Sequence, residues 1–305
     1  MDTRERRLVI AYCVITILAT IAWWIGLATV PEVKVRTLGS AFAVDFRVLL
    51  LADLFSAGLL PALILATMRF RPAALFWAHL GGQGYAFLVS VGGAIADPTA
   101  YFGVVAMLAS AGASLAFAIR FANLHLLWGP FRFRHASTTS QASAWHKTLM
   151  QTAGMWLVFL LLIPLAAIAL EDALGWQQSP WGQPFQAVAL LVFVAAGGVG
   201  LYSGWVMTRD GKGTPLPSEG ARQLVITGPY RVIRNPMALL GVLQGIAVGV
   251  ILSSPLVMVY AALGAVFWEV LVRPLEETYL ESQFGDEYRE YQKQVRCWLP
   301  VRSKR

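Results

Sequence analysis

Charge is scarce in this sequence. Asp, Glu, Lys and Arg make up 13% of its 305 residues, where a soluble domain carries about 25%. Hydrophobic residues reach 57% and mean hydropathy is +0.60, so a water-soluble globule is excluded and the surplus apolar surface must face lipid. Cysteine is scarce too. Cys13 and Cys297 are the two present, and their separation suggests neither a disulfide nor a metal cluster. The four histidines, His79, His125, His135 and His146, show no ligand spacing, so no metal is expected. Acidic residues number 17 against 24 basic ones, for a net charge of +7. The basic residues alternate with apolar spans instead of gathering on one soluble face, so nucleic acid is not an expected partner.

What is abundant is long apolar runs. About eight spans can be drawn at the ~20-residue length that crosses a bilayer. They run roughly Leu8–Val30, Phe46–Met68, Ala73–Ala96, Ala100–Phe121, Thr148–Leu170, Phe185–Met207, Pro236–Leu252 and Pro255–Val272. The first is too long, and followed by too many others, for a cleaved signal peptide. With the N-terminus inside, the cytoplasmic segments carry 21 of the 24 basic residues and the outer segments only Lys34, Arg36 and Arg47. That asymmetry is what the positive-inside rule requires with both termini cytoplasmic. The expected fold is therefore all-α: a polytopic membrane protein with about eight transmembrane helices and a cytoplasmic C-terminal catalytic region.

His125–Trp145 is the longest break in apolar character and reads as a linker between two groups of spans. In the first group, Asp53 and His79 are the ionisable intramembrane residues, which makes them functional candidates. The structural alternative pairs Asp53 with Arg47 and ties His79 to a neighbouring helix. Gly81-Gly82-Gln83-Gly84 and Gly197-Gly198-Val199-Gly200 lie inside apolar spans and not after a strand, so close helix packing fits better than a nucleotide loop. Gly241, Gly245 and Gly249 give the seventh span a smooth face.

Two polar stretches carry the chemistry. Thr227-Gly228-Pro229-Tyr230 leads to Arg234-Asn235-Pro236-Met237, with Pro236 suited to the first turn of a helix. After the next hairpin come Arg273-Pro274 and Glu276-Glu277, then Phe284-Gly285-Asp286-Glu287-Tyr288-Arg289-Glu290-Tyr291. Glu269, Arg273, Glu276 and Glu277 share a helix face. Pro274 is expected to kink that helix as it leaves the bilayer.

Taken together, these segments resemble the isoprenylcysteine carboxyl methyltransferase and phospholipid methyltransferase family of integral membrane enzymes, over roughly Thr148–Arg305. The shared pattern is a Gly-x-Tyr turn, an Arg-His-Pro-x-Tyr run, a helical hairpin, Glu-Glu, and Phe-Gly-x-x-Tyr-x-x-Tyr. The resemblance implies a membrane methyltransferase module at 147–305 preceded by a four-helix membrane region at 1–146. It implies S-adenosylmethionine as cofactor. The cofactor residues it implies are Arg222, Gln223, Leu224 and Val225 in the loop, Tyr230 in the turn, Asn235, Pro236, Met237 and Ala238, and Glu276. Arg234, Arg273 and Glu277 are the expected catalytic set, with Arg273 meeting the acceptor. Two positions depart from the pattern: Asn235 replaces the family His and Ala238 the family Tyr.

Methyl transfer from a sulfonium needs positioning and exclusion of water more than a reactive side chain. Tyr230 and Trp298 suit an apolar wall, Arg234 a cofactor carboxylate, and Glu276 and Glu277 an amine. An acceptor carboxylate would require Arg273; an acceptor amine would require a base, for which Glu277 serves. The expected acceptor is a lipid-like, amphipathic or prenylated molecule, reached from membrane lipids, with the active site on the cytoplasmic side of an inner membrane. Two alternatives stand beside this reading. One is a sterol-reductase-like oxidoreductase, against which Val242 after Gly241 speaks. The other is a non-catalytic membrane protein that retains the fold.

Overall fold

The structure is a computed structural model and describes residues 1, 3–40, 46–70, 72–121, 141–176, 182–214 and 220–300. Most of the 125–145 linker, Pro215 and Pro217 lie outside the described residues. Among the described residues the architecture is helical: α1 Thr3–Thr29, α2 Pro31–Leu38, α3 Arg47–Phe70, α4 Ala73–Ala96, α5 Pro98–Phe121, α6 Gln141–Ala173, α7 Gln183–Gly211, α8 Pro236–Ile251 and α9 Pro255–Gln294.

Six of these helices (α1, α3, α5, α6, α7 and α9) are long and apolar enough to cross a membrane. The protein is accordingly an integral membrane protein of helices, but the expected count of eight exceeds what length and composition support. The two remaining expected spans are helical and differ for separate reasons. Helix α4 has 24 residues, but His79, Gln83 and its glycines dilute its apolar character. Helix α8 has 16 residues, about 24 Å of rise against a ~30 Å hydrocarbon core.

The chain divides into two compact units, Met1–His125 with Ala169–Gln178, and Leu126–Ile168 with Ser179–Arg305. The first unit has a polar core. Tyr12 Oη lies 2.7 Å from His79 Nε2 and 2.7 Å from Ser114 Oγ, and His79 Nδ1 lies 2.6 Å from the Ser56 carbonyl. His79 is thus a satisfied core histidine, holding three helices in register through bonds that lipid cannot supply. Asp53 accepts from Trp24 Nε1 at 3.2 Å and not from Arg47.

The second unit is built around the α8–α9 hairpin. Ser253 takes a positive φ of 54°, and Ser254 caps α9 by accepting from the Val257 N–H at 3.2 Å. A Cβ on Gly245 would stand 2.8 Å from Ala261, and one on Gly249 would stand 2.5 Å from Met258. Those glycines let the hairpin close, as the smooth face suggests; Gly241 has no such neighbour within 4 Å.

Helix α9 has 40 residues, roughly 60 Å, twice the thickness of a hydrocarbon core. Its apolar stretch ends at Val272, and the polar half from Arg273 extends beyond it. Helical bonding does not end at Pro274. The helix instead widens to a π turn over Trp268–Val272 and continues through the proline, since a wider turn re-registers the bonding that Pro274 cannot join. The real break is at Gly285, with φ 53° and ψ −123°, a conformation that suits glycine.

Candidate active site

A cavity of about 690 Å³ lies within the second unit, in the size range of small-molecule and cofactor sites. One end is polar, with Arg234, Asn235, Arg273, Glu276 and Glu277; the other is apolar, with Trp156, Phe159, Leu160, Leu263 and Phe267.

Three local features assemble the polar end. The first is the turn Gly228–Arg231. Gly228 adopts φ 55°, which reverses the chain and drives Tyr230 into a small core with Val206 and Val225. The second is the start of α8, where Pro236 sits in the first turn and Arg234 and Asn235 project just ahead of it. The third is the end of the apolar stretch of α9, where the π turn precedes Arg273.

These elements interlock through charge. Glu277 Oε1 accepts from Arg234 Nη1 at 2.8 Å and from Arg273 Nε at 2.8 Å. Arg273 Nη1 also reaches both oxygens of Glu269, at 2.9 and 2.8 Å. Asn235 Nδ2 donates to Glu276 Oε2 at 2.7 Å. Asn235 therefore keeps the donor that a neutral histidine would offer.

The tail beyond Gly285 folds back over this cluster. Tyr288 Oη accepts from Arg234 Nη1 at 3.2 Å, Tyr291 Oη donates to the Tyr230 carbonyl at 2.5 Å, and the Arg234 N–H donates to the Arg296 carbonyl at 3.0 Å. Trp298 is not a wall of the cavity. Its Nε1 donates to Glu269 Oε2 at 2.7 Å, because a buried indole N–H takes the nearest carboxylate.

Burial pushes the Glu276 carboxyl up to about 7, and the neighbouring Glu277 charge adds to the rise; Arg234, Arg273 and the Asn235 bond oppose it. Among the described residues, Arg234 Nε, Trp268 Nε1 and Gln151 Oε1 are buried on the cavity lining without a hydrogen-bond partner. Buried polar groups are rarely left unsatisfied, so these atoms mark where a polar ligand would be held.

Of the cofactor residues expected from sequence, Gln223, Leu224, Val225, Tyr230, Asn235, Met237, Ala238 and Glu276 line the cavity, as do Arg234, Arg273 and Glu277. Arg222 and Pro236 do not line it. The Arg222 N–H is spent on the Gly211 carbonyl at 2.8 Å, and Pro236 is buried at the helix start. Sequence reading missed Gln151, Gln244, Tyr260 and Trp268, which also line the cavity. The two glutamines carried a signal, since each is an amide inside an otherwise apolar run.

Residues 185–287 match the phospholipid methyltransferase family. The match takes in the Gly-x-Tyr turn, the α8–α9 hairpin and both glutamates, and covers about a third of the chain. One stretch of 24 residues is 75% identical to an uncharacterized protein of Haemophilus influenzae, covering 8% of this chain and 38% of that protein. No solved structure matches the chain.

Proposed function

We propose that this protein is a membrane methyltransferase that uses S-adenosylmethionine and acts on a lipid-like or isoprenoid-bearing acceptor. The observation that carries the reading is the cavity itself, polar at one end and apolar at the other, within the stretch of family similarity. The residues fit the cofactor. Arg234 has an unused buried Nε suited to its carboxylate. Glu276 and Glu277 suit its amino group, and Tyr230, Val225 and Met237 offer an apolar wall.

When bound, the cofactor would supply an activated methyl group, leaving the protein to orient the acceptor and exclude water. Arg273 is engaged with two carboxylates, so it serves as a positioning residue that fixes Glu277 and Glu269. An acceptor carboxylate would have to compete with both, which favours an amine or another neutral acceptor. The loss of the family Tyr at Ala238 leaves room in the cavity for a bulkier acceptor.

The test is calorimetry on the purified protein. Binding of S-adenosylhomocysteine without binding of NADPH supports the reading, and the reverse pattern sinks it in favour of a reductase. Methyl incorporation into whole-membrane lipid extracts then identifies the acceptor class.

A further inference from the structure

The first unit contains a cavity of its own, about 230 Å³. Its lining brings together Trp23, Trp24, Phe55, Tyr85 and one carboxylate, Asp53. Among the described residues, lysine, arginine and histidine are absent from that lining and no basic side chain pairs with Asp53, whose hydrogen bond is the one from Trp24 Nε1. A carboxylate set in apolar helices without a counter-charge is costly, and either a proton or a bound cation relieves that cost.

The chemistry of the walls decides which cation. A metal ion asks for several oxygen ligands, and here one carboxylate shares the lining with four rings, while the Thr37 hydroxyl is spent on the Val33 carbonyl and the Ser56 hydroxyl accepts from Gln83. Rings around a single negative charge suit an organic ammonium, held by its charge to the carboxylate and by its methyl or methylene groups to the aromatic faces. From this juxtaposition we infer that the first unit binds a small organic ammonium group, as a free amine or quaternary ammonium or as a lipid headgroup, in a site separate from the methyltransferase cavity. This site stands independently of the proposed function.

The experiment follows tryptophan fluorescence of the full chain titrated with choline, and in parallel with its uncharged carbon isostere 3,3-dimethylbutanol. Saturable quenching by choline, at least about tenfold weaker for the isostere and for Asp53→Asn, is the expected result. Trp23→Ala weakens it as well, and a fold check by thermal unfolding and gel filtration accompanies each variant. Repeating the titration in nanodiscs separates the two sources. Weaker choline binding in phosphatidylcholine than in phosphatidylglycerol discs supports headgroup entry, and equal binding supports a soluble ligand. The inference is overturned if choline does not bind, if the isostere binds as well, or if a folded Asp53→Asn protein binds choline unchanged.

Discussion

Glu276 concentrates the chemistry of the candidate site in one side chain. Its raised pKa of about 7 means that it is largely protonated at pH 6 and largely ionised at pH 8. If the proposed cofactor's amine sits against Glu276, the ionised form holds it, and S-adenosylhomocysteine should bind roughly tenfold more tightly at pH 8 than at pH 6. Glu276→Gln should flatten that profile, and calorimetry at both pH values checks it; equal affinity in the wild type would place the amine elsewhere. Asn235 makes a second prediction. Asn235→His keeps a donor for Glu276 and should hold affinity within about threefold, whereas Asn235→Leu strands a carboxylate oxygen and should cost about 1–3 kcal/mol of binding. The polar motif was legible in the sequence because its residue types and order are unusual between apolar runs. The pairing of Glu277 with two arginines was not, since which carboxylate a guanidinium chooses depends on the distance between two helices.

At the scale of the element, the α8–α9 hairpin is where sequence and structure agree best and also where they part. The glycine spacing foretold a smooth contact face, and Gly245 and Gly249 provide it. Gly241 belongs to the same spacing but faces the cavity, because one helix face can serve two neighbours along its length. Gly249→Val should therefore destabilise the protein by about 1–3 kcal/mol through overpacking against Met258. Gly241→Ala should leave thermal unfolding in detergent unchanged. Pro274 is met by a π turn directly ahead of it, which takes up the bonding the proline cannot join. Helix α9 breaks at Gly285, whose positive φ penalises any residue with a Cβ by about 1–2 kcal/mol. Gly285→Val should loosen the tail, seen as faster proteolysis after residue 285.

At the scale of the molecule, hydropathy read the class and the membrane location from composition alone. The number of crossings was less legible, because α4 carries a polar core inside its apolar run and α8 is short. The orientation rests on the 21 to 3 division of basic residues. A reporter fused after Arg134 should read cytoplasmic and one after Asp172 external; any other pattern breaks that assignment. The division into two units predicts separable ligands. Asp53→Ala should leave S-adenosylhomocysteine affinity intact, and coupled losses in calorimetry would show that the units do not act separately.

The return of the tail over the Arg234 cluster has a consequence for biogenesis. Residues 288–298 leave the ribosome after helices α1 to α8 and the apolar stretch of α9, at about 5–20 residues per second. The bonds from Tyr291 to Tyr230 and from the Arg234 N–H to the Arg296 carbonyl can form only then. While the helices are being inserted, the polar end of the cavity lacks its cover. The Arg234 cluster thus receives its cover only after the described apolar helices have been made.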